Sequence, residues 1–141
     1  MNQNKIVLII DDDDDDRSLF SDALGEVSSA VKCLSIGDGH EGLAMLRNET
    51  EDLPDLIFLD LNMPRLNGKQ CLEEIKKIPK LSHIPVIMYS TTKRWEDVEE
   101  TQKLGAAYFL TKPALFNEIC NAIKMLLEVK WEKNAPLSVK V

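Results

Sequence analysis

Four short segments of this 141-residue chain carry residue types that do chemistry when brought together. Positions 11–16 are six consecutive aspartates, Asp60 follows the apolar run Leu56-Ile57-Phe58-Leu59, Ser90, Thr91 and Thr92 follow another, and Lys112 stands before Pro113. Carboxylates gathered in one place repel one another unless a cation shares them. An all-oxygen donor set in an open site suits magnesium, which keeps part of its water and bridges carboxylates to phosphate oxygens. An ammonium and a hydroxyl on the opposite side would hold the remaining oxygens of a phosphoryl group. A carboxylate can itself act as the nucleophile and form an aspartyl phosphate. The set therefore suits making, holding and slowly hydrolysing an acyl phosphate. Asp60 belongs to this site, because a carboxylate at the end of an apolar run is costly to desolvate and calls for a cation. Asp11 and Asp12 directly abut a strand and join it, whereas Asp13, Asp14, Asp15 and Asp16 read as a solvated helix start favoured by the helix dipole.

These residues need a frame that delivers them to one place, and the hydrophobic pattern supplies it. Ile6-Val7-Leu8-Ile9-Ile10, Leu56-Ile57-Phe58-Leu59 and residues 84–89 are short, wholly apolar runs of the kind that form strands buried on both faces. Pro85 falls near the start of its strand, where a missing N–H is tolerated. Residues 31–36 and 107–111 are weaker strands. Between them the period changes to that of a helix: Leu19, Phe20, Ala23, Leu24 and Val27 share a face, as do Leu72, Ile75 and Ile78. Leu115, Phe116, Ile119, Cys120, Ile123, Leu126 and Leu127 form the longest stripe. Residues 39–47 and 94–104 complete five β-α units, the second with a thin apolar face. The expected fold is α/β, a three-layer, doubly wound, five-stranded parallel sheet with strand order 2-1-3-4-5. In such a sheet ligands bind beyond the carboxyl ends of the strands, which is where every candidate residue falls.

The bulk numbers bound the rest. One domain is the expectation for this length. Hydrophobic residues make up 44% and charged residues 29%, enough for a packed core. The net charge of -7 argues against nucleic acid and anionic membrane as partners, both being polyanions. No stretch approaches the roughly 20 apolar residues that span a bilayer, and the N-terminus lacks the pattern of a signal peptide. Cys33, Cys71 and Cys120 are odd in number and set among apolar neighbours, which favours buried thiols over disulfides or metal. A cytoplasmic location fits all of this.

In this order and spacing, Asp11-Asp12, the segment Pro54-Asp55-Leu56-Ile57-Phe58-Leu59-Asp60-Leu61-Asn62-Met63-Pro64 with Gly68 beyond it, Ser90-Thr91 and Thr111-Lys112-Pro113 make a specific set. Over about residues 5–130 the chain resembles the receiver domains of two-component response regulators. The resemblance implies that Asp60 is the phosphoacceptor. It also implies that Asp12 ligates magnesium (or manganese) directly, Asp11 through water, and Asn62 through its backbone carbonyl. Ser90 would bond the phosphoryl group, Phe109 would be the aromatic that swings inward with it, and Lys112 would pair with phosphoryl oxygens. The Lys112–Pro113 bond would be cis, a strain at a functional loop. Thr91, where alanine is common, and Phe109, where tyrosine is common, depart from the usual pattern and bear on the amplitude of switching.

The resemblance further implies a phosphoryl donor, either a histidine kinase or a phosphotransfer protein, and a downstream protein partner or a second copy of the chain. The contact face would run over residues 94–104, Phe109 and residues 115–130. The expected organisation is a receiver over residues 1–130 and a tail over 131–141 with no output domain. Trp131, Leu137, Val139 and Val141 either fray or pack on a partner. Extended single-domain receivers associated with bacterial phytochrome kinases share the Asp-rich first loop. An enzyme of the aspartate-nucleophile phosphatase kind needs a second acid two positions after the nucleophile, where Asn62 stands. A calcium loop starting at Asp11 needs glycine at its sixth position, which is Asp16. A phosphate-independent scaffold of the same fold is the remaining rival.

Overall fold

The computed structural model describes residues 5–48, 52–92 and 94–131. The chain alternates β1 (Ile6–Ile10), α1 (Asp14–Val27), β2 (Lys32–Ile36), α2 (Gly39–Arg47), β3 (Leu56–Leu59), α3 (Gly68–Lys77), β4 (Val86–Ser90), α4 (Trp95–Lys103), β5 (Tyr108–Thr111) and α5 (Phe116–Glu128). The strands form one parallel sheet in the order β2-β1-β3-β4-β5, as the pattern predicts.

Side chains alternate across a strand, so each central strand feeds two cores. Leu8 and Ile10 of β1, Ile57 and Leu59 of β3, and Val86 and Met88 of β4 meet Leu43, Leu46, Cys71, Leu72, Ile75 and Val98 from α2, α3 and α4. Val7, Ile9, Leu56, Phe58, Ile87 and Tyr89 turn the other way, onto Phe20, Ala23 and Leu24 of α1 and Ile119, Ile123 and Leu126 of α5. Phe20, Phe58 and Tyr89 form a ring cluster with centroids 4.7–6.0 Å apart. The helices start on side-chain caps where the site needs them: Asp13 accepts from the Asp16 N–H, and Asn67 and Gln70 cap α3 reciprocally.

Several expectations require correction. Leu19 is 44% exposed, and Leu115 and Phe116 are 58% and 41% exposed, so the packed stripe of α5 begins at Ile119. The thin apolar face of α4 reflects polar burial: beside Val98 lie Asp97, bonded by Lys69 Nζ at 2.7 Å, and Thr101, whose hydroxyl donates to the Asp97 carbonyl. Strand β4 starts two residues later than the apolar window suggests and ends one later, with Ser90 as its last residue. Cys71 is buried, Cys33 and Cys120 are half-buried, and all three are free thiols.

Trp131 does not fray. It packs on the core beneath α5, and its Nε1 donates to the Leu126 carbonyl at 3.3 Å. Leu137, Val139 and Val141 lie outside the described residues. Because Trp131 is only half-buried, Trp131→Ala is expected to lower stability by about 1–2 kcal/mol, below the range for a fully buried aromatic. A urea midpoint shifted at unchanged slope would show this.

Candidate functional site: an acidic pocket at the carboxyl edge of the sheet

The ladder itself delivers the site residues. The Asp11 N–H donates to the Ile36 carbonyl, that of Asp60 to Ile10, and that of Lys112 to Ser90, so each residue prolongs a strand by one step. Asp11 and Ser90 are completely buried, and Asp60 is 6% exposed. One carboxylate oxygen from each of Asp11, Asp12 and Asp60 lies within 4.8 Å of the others. Asp12 is exposed at the mouth of the pocket.

Lys112 Nζ enters from the side. It stands 2.8 Å from Asp11 Oδ2, off the direction of a formed hydrogen bond, and 3.7 Å from Asp60 Oδ1. It also sits 5.4 Å from the centre of the Tyr89 ring. Asp11 Oδ1 accepts from the Asp13 N–H at 3.0 Å. Asp11 Oδ2 is buried and, among the described residues, accepts no hydrogen bond.

The electrostatics arise from this crowding. Burial, reinforced by the negative charge of Asp11, pushes the Asp60 carboxyl up to about 7. Burial raises Asp11 as well, against the pull of Lys112. Burial works against the charged form of Lys112, but the surrounding carboxylates outweigh it and hold the ammonium above its ordinary value. The pocket therefore holds more negative charge than Lys112 neutralises. Its donors are hard oxygens, one of them buried without a hydrogen bond, and they fit a divalent cation of the magnesium type.

The other predicted residues fall around this centre. Asn62 is exposed in the loop after β3, and no described residue donates to its carbonyl. Its side chain borders a shallow pocket with Asn67, Lys69, Arg94 and Asp97. Ser90 Oγ accepts from the Thr92 N–H at 3.3 Å, and Thr91 is exposed. Phe109, paired with Met88 across β4 and β5, is buried in the core beneath α4. No described peptide bond is cis, so the Lys112–Pro113 expectation is corrected. A trans X–Pro bond is the ordinary preference by about 0.5–1 kcal/mol, and Lys112 reaches the carboxylates from it.

The expectation that Asp16 is a solvated helix residue is corrected too: its Oδ2 accepts from Lys112 Nζ at 2.7 Å. A run of six identical residues carries no sign of which member faces inward.

Comparison with known proteins agrees with this arrangement. The family model for the response regulator receiver domain matches residues 7–124. Response regulator Rcp1 of Synechocystis sp. is 32% identical over 115 residues, covering 79% of this chain and 78% of that protein. The probable C4-dicarboxylate response regulator DctR of Bacillus subtilis is 31% identical over 114 residues, but the chain spans only 48% of it. Among solved structures, the Mn(2+)-bound form of Rcp1 superposes with a TM-score of 0.81 at 29% identity, covering 90% of this chain and 97% of that one. The phosphorylated cyanobacterial phytochrome response regulator RcpA gives 0.82 at 32% identity, covering 89% and 93%.

Proposed function

The chain belongs to the response regulator receiver domain family of two-component systems, and from that membership we propose that it accepts a phosphoryl group on Asp60 and signals through phosphorylation-dependent protein–protein contact. The observation that carries this reading is Asp60 itself: a nearly buried carboxylate grouped with Asp11 and Asp12 and faced by Lys112 Nζ at 3.7 Å. The donor is a phosphohistidine on a histidine kinase or phosphotransfer protein. An Asp60 oxygen attacks phosphorus, a P–O bond forms as the P–N bond breaks, and the imidazole leaves with the bonding pair.

Lys112 pairs with one phosphoryl oxygen, and the Ser90 hydroxyl donates to another. Asp11, Asp12, Asp60 and the Asn62 carbonyl would hold magnesium, with manganese as the alternative, and such an ion would supply positive charge beside the phosphoryl oxygens. No separate substrate is turned over, so the activity is self-phosphorylation followed by autodephosphorylation. Ser90 and Phe109 are the switch pair through which the phosphoryl group acts on the face of α4, β5 and α5. Trp95, Leu115, Phe116 and Met125, all exposed, give that region an apolar surface suited to an unidentified downstream protein or a second copy of the chain. A net charge of -7 supports neither nucleic acid nor membrane as partner. Among the described residues no helix is long and apolar enough to cross a membrane, and the reading is of a cytoplasmic protein.

The test is intact mass after incubation with acetyl phosphate and magnesium. Wild type is expected to gain one phosphoryl group, Asp60→Asn none, and EDTA to abolish the gain. A folded wild type that gains nothing, or an Asp60→Asn variant that gains as much as wild type, overturns the assignment.

A further inference from the structure

Among the described residues, the only formed hydrogen bond of the Lys112 ammonium runs to Asp16, which stands outside the acidic triad. Nζ donates to Asp16 Oδ2 at 2.7 Å, whereas its 2.8 Å approach to Asp11 is poorly directed and its 3.7 Å approach to Asp60 is beyond hydrogen-bond reach. Asp16 is well placed to act as an anchor. It is the third residue of α1, its own N–H donates to Asp13 Oδ1 at 2.9 Å, and its carboxylate is only about one-third exposed. The neighbouring cation is occupied elsewhere: Arg17 donates to the Asp11 carbonyl at 2.7 Å, to Asp14 at 2.6 Å and to the Ser35 hydroxyl at 3.0 Å. Asp16 is therefore left to Lys112.

This matters because a lysine is a point charge on a flexible stem. With no anchor on the α1 side, the ammonium, already 2.8 Å from Asp11, would close its 3.7 Å gap to Asp60 and sit midway between the two carboxylates, where negative charge is densest. That is where the same carboxylates would hold a divalent cation, and two cations in one place exclude each other. We infer that Asp16 is a positioning residue: it holds Lys112 at the outer side of the pocket, keeping the ammonium out of the cation's place while leaving it beside Asp60. The inference rests on the proposed function for the use made of Lys112.

Magnesium alone, titrated calorimetrically into wild type, Asp16→Ala, Lys112→Ala and the double variant, tests this without any phosphodonor. Asp16→Ala is expected to weaken magnesium binding about fivefold, the size of an ordinary contact coupling. In the Lys112→Ala background the same change is expected to have almost no effect, because the ammonium it restrains is gone. Asp16→Asn, which keeps an acceptor oxygen, should fall between wild type and Asp16→Ala and serves if the alanine variant folds poorly. Equal weakening in both backgrounds would mean that Asp16 acts by its own charge, and no weakening in either would make the contact incidental. Both results overturn the inference. Mass after acetyl phosphate treatment separates the two readings. Coupling without an adduct on wild type would sink the phosphoacceptor reading alone, and an adduct without coupling would sink only the role of Asp16.

Discussion

Gly68→Ala is expected to destabilise the protein by about 2–4 kcal/mol, at or beyond the upper end of ordinary overpacking, and to damage the site at the same time. A Cβ at this position would lie 2.3 Å from the Asp60 carbonyl oxygen, 2.7 Å from Leu61 Cα and 3.0 Å from the Asp60 carbonyl carbon. All three are backbone atoms, so no rotamer change relieves the clash. The Gly68 N–H also donates to the Leu61 carbonyl at 2.8 Å, which pins the start of α3 to the loop that leaves Asp60. Relief must come from moving α3 or moving Asp60, and either loosens the pocket. Gly25, in the last turn of α1 with nothing within 4 Å of an added Cβ, is the control: Gly25→Ala is expected to stabilise by about 0.5–1 kcal/mol. Urea melts of both variants, with acetyl phosphate labelling of each, check the pair. A Gly68→Ala protein as stable and as readily labelled as wild type would mean that loop and helix separate without strain.

The central strands are legible in the sequence because they are buried on both faces and so must be apolar at every position. That is why Ile6–Ile10 and Leu56–Leu59 match their runs residue for residue. The edge strands are less clear, since β2 is half-exposed and Lys32 and Ser35 interrupt its apolar run. The β4 window shifts for a different reason. The Ile84 N–H donates to the Leu81 carbonyl, so Ile84 belongs to the preceding turn although it is buried like a strand residue. A helix face is easily overread where an apolar residue sits beside a stripe without contacting the core, as with Leu19, Leu115 and Phe116.

The site divides along the same line. Asp11, Asp60, Ser90 and Lys112 can be placed from strand ends alone, because a parallel sheet brings the residues after its strands to one edge. Partner choice cannot be read that way. Nothing in the local pattern distinguishes Asp16 from Asp13, Asp14 and Asp15, and only the meeting of α1 with the end of β5 turns it toward Lys112. Asp97 is hidden likewise: a carboxylate on a thin apolar face reads as solvated until Lys69 of α3 is found across from it, 28 residues away in the chain.

In EDTA, wild type is expected to lose stability as pH rises from about 4 to about 7, and Asp60→Asn to lose much less. A carboxyl that binds its proton more tightly in the folded chain than in the unfolded one favours folding at low pH, and that stabilisation disappears as the group ionises. Asp60 rises from 3.8 to about 7 on folding, chiefly through burial and then through the charge of Asp11. The full effect corresponds to about 4 kcal/mol, and rearrangement of the pocket makes about 2–4 kcal/mol the expected range. Above about pH 7 the loss levels off, because Asp60 is then ionised in both states. Asp11, also raised by burial, contributes with the same sign and leaves a smaller slope in the variant. Asp60→Asn should therefore be more stable than wild type at pH 8 and nearly equal to it at pH 4. Saturating magnesium should remove most of the difference, since a cation shared by the carboxylates stabilises their ionised forms and binds only the folded pocket. Urea midpoints of both proteins between pH 4 and pH 8, with EDTA and with magnesium, decide the matter. Parallel stability curves in EDTA would mean that Asp60 is not held near neutrality, and that the repulsion which calls for a cation is absent.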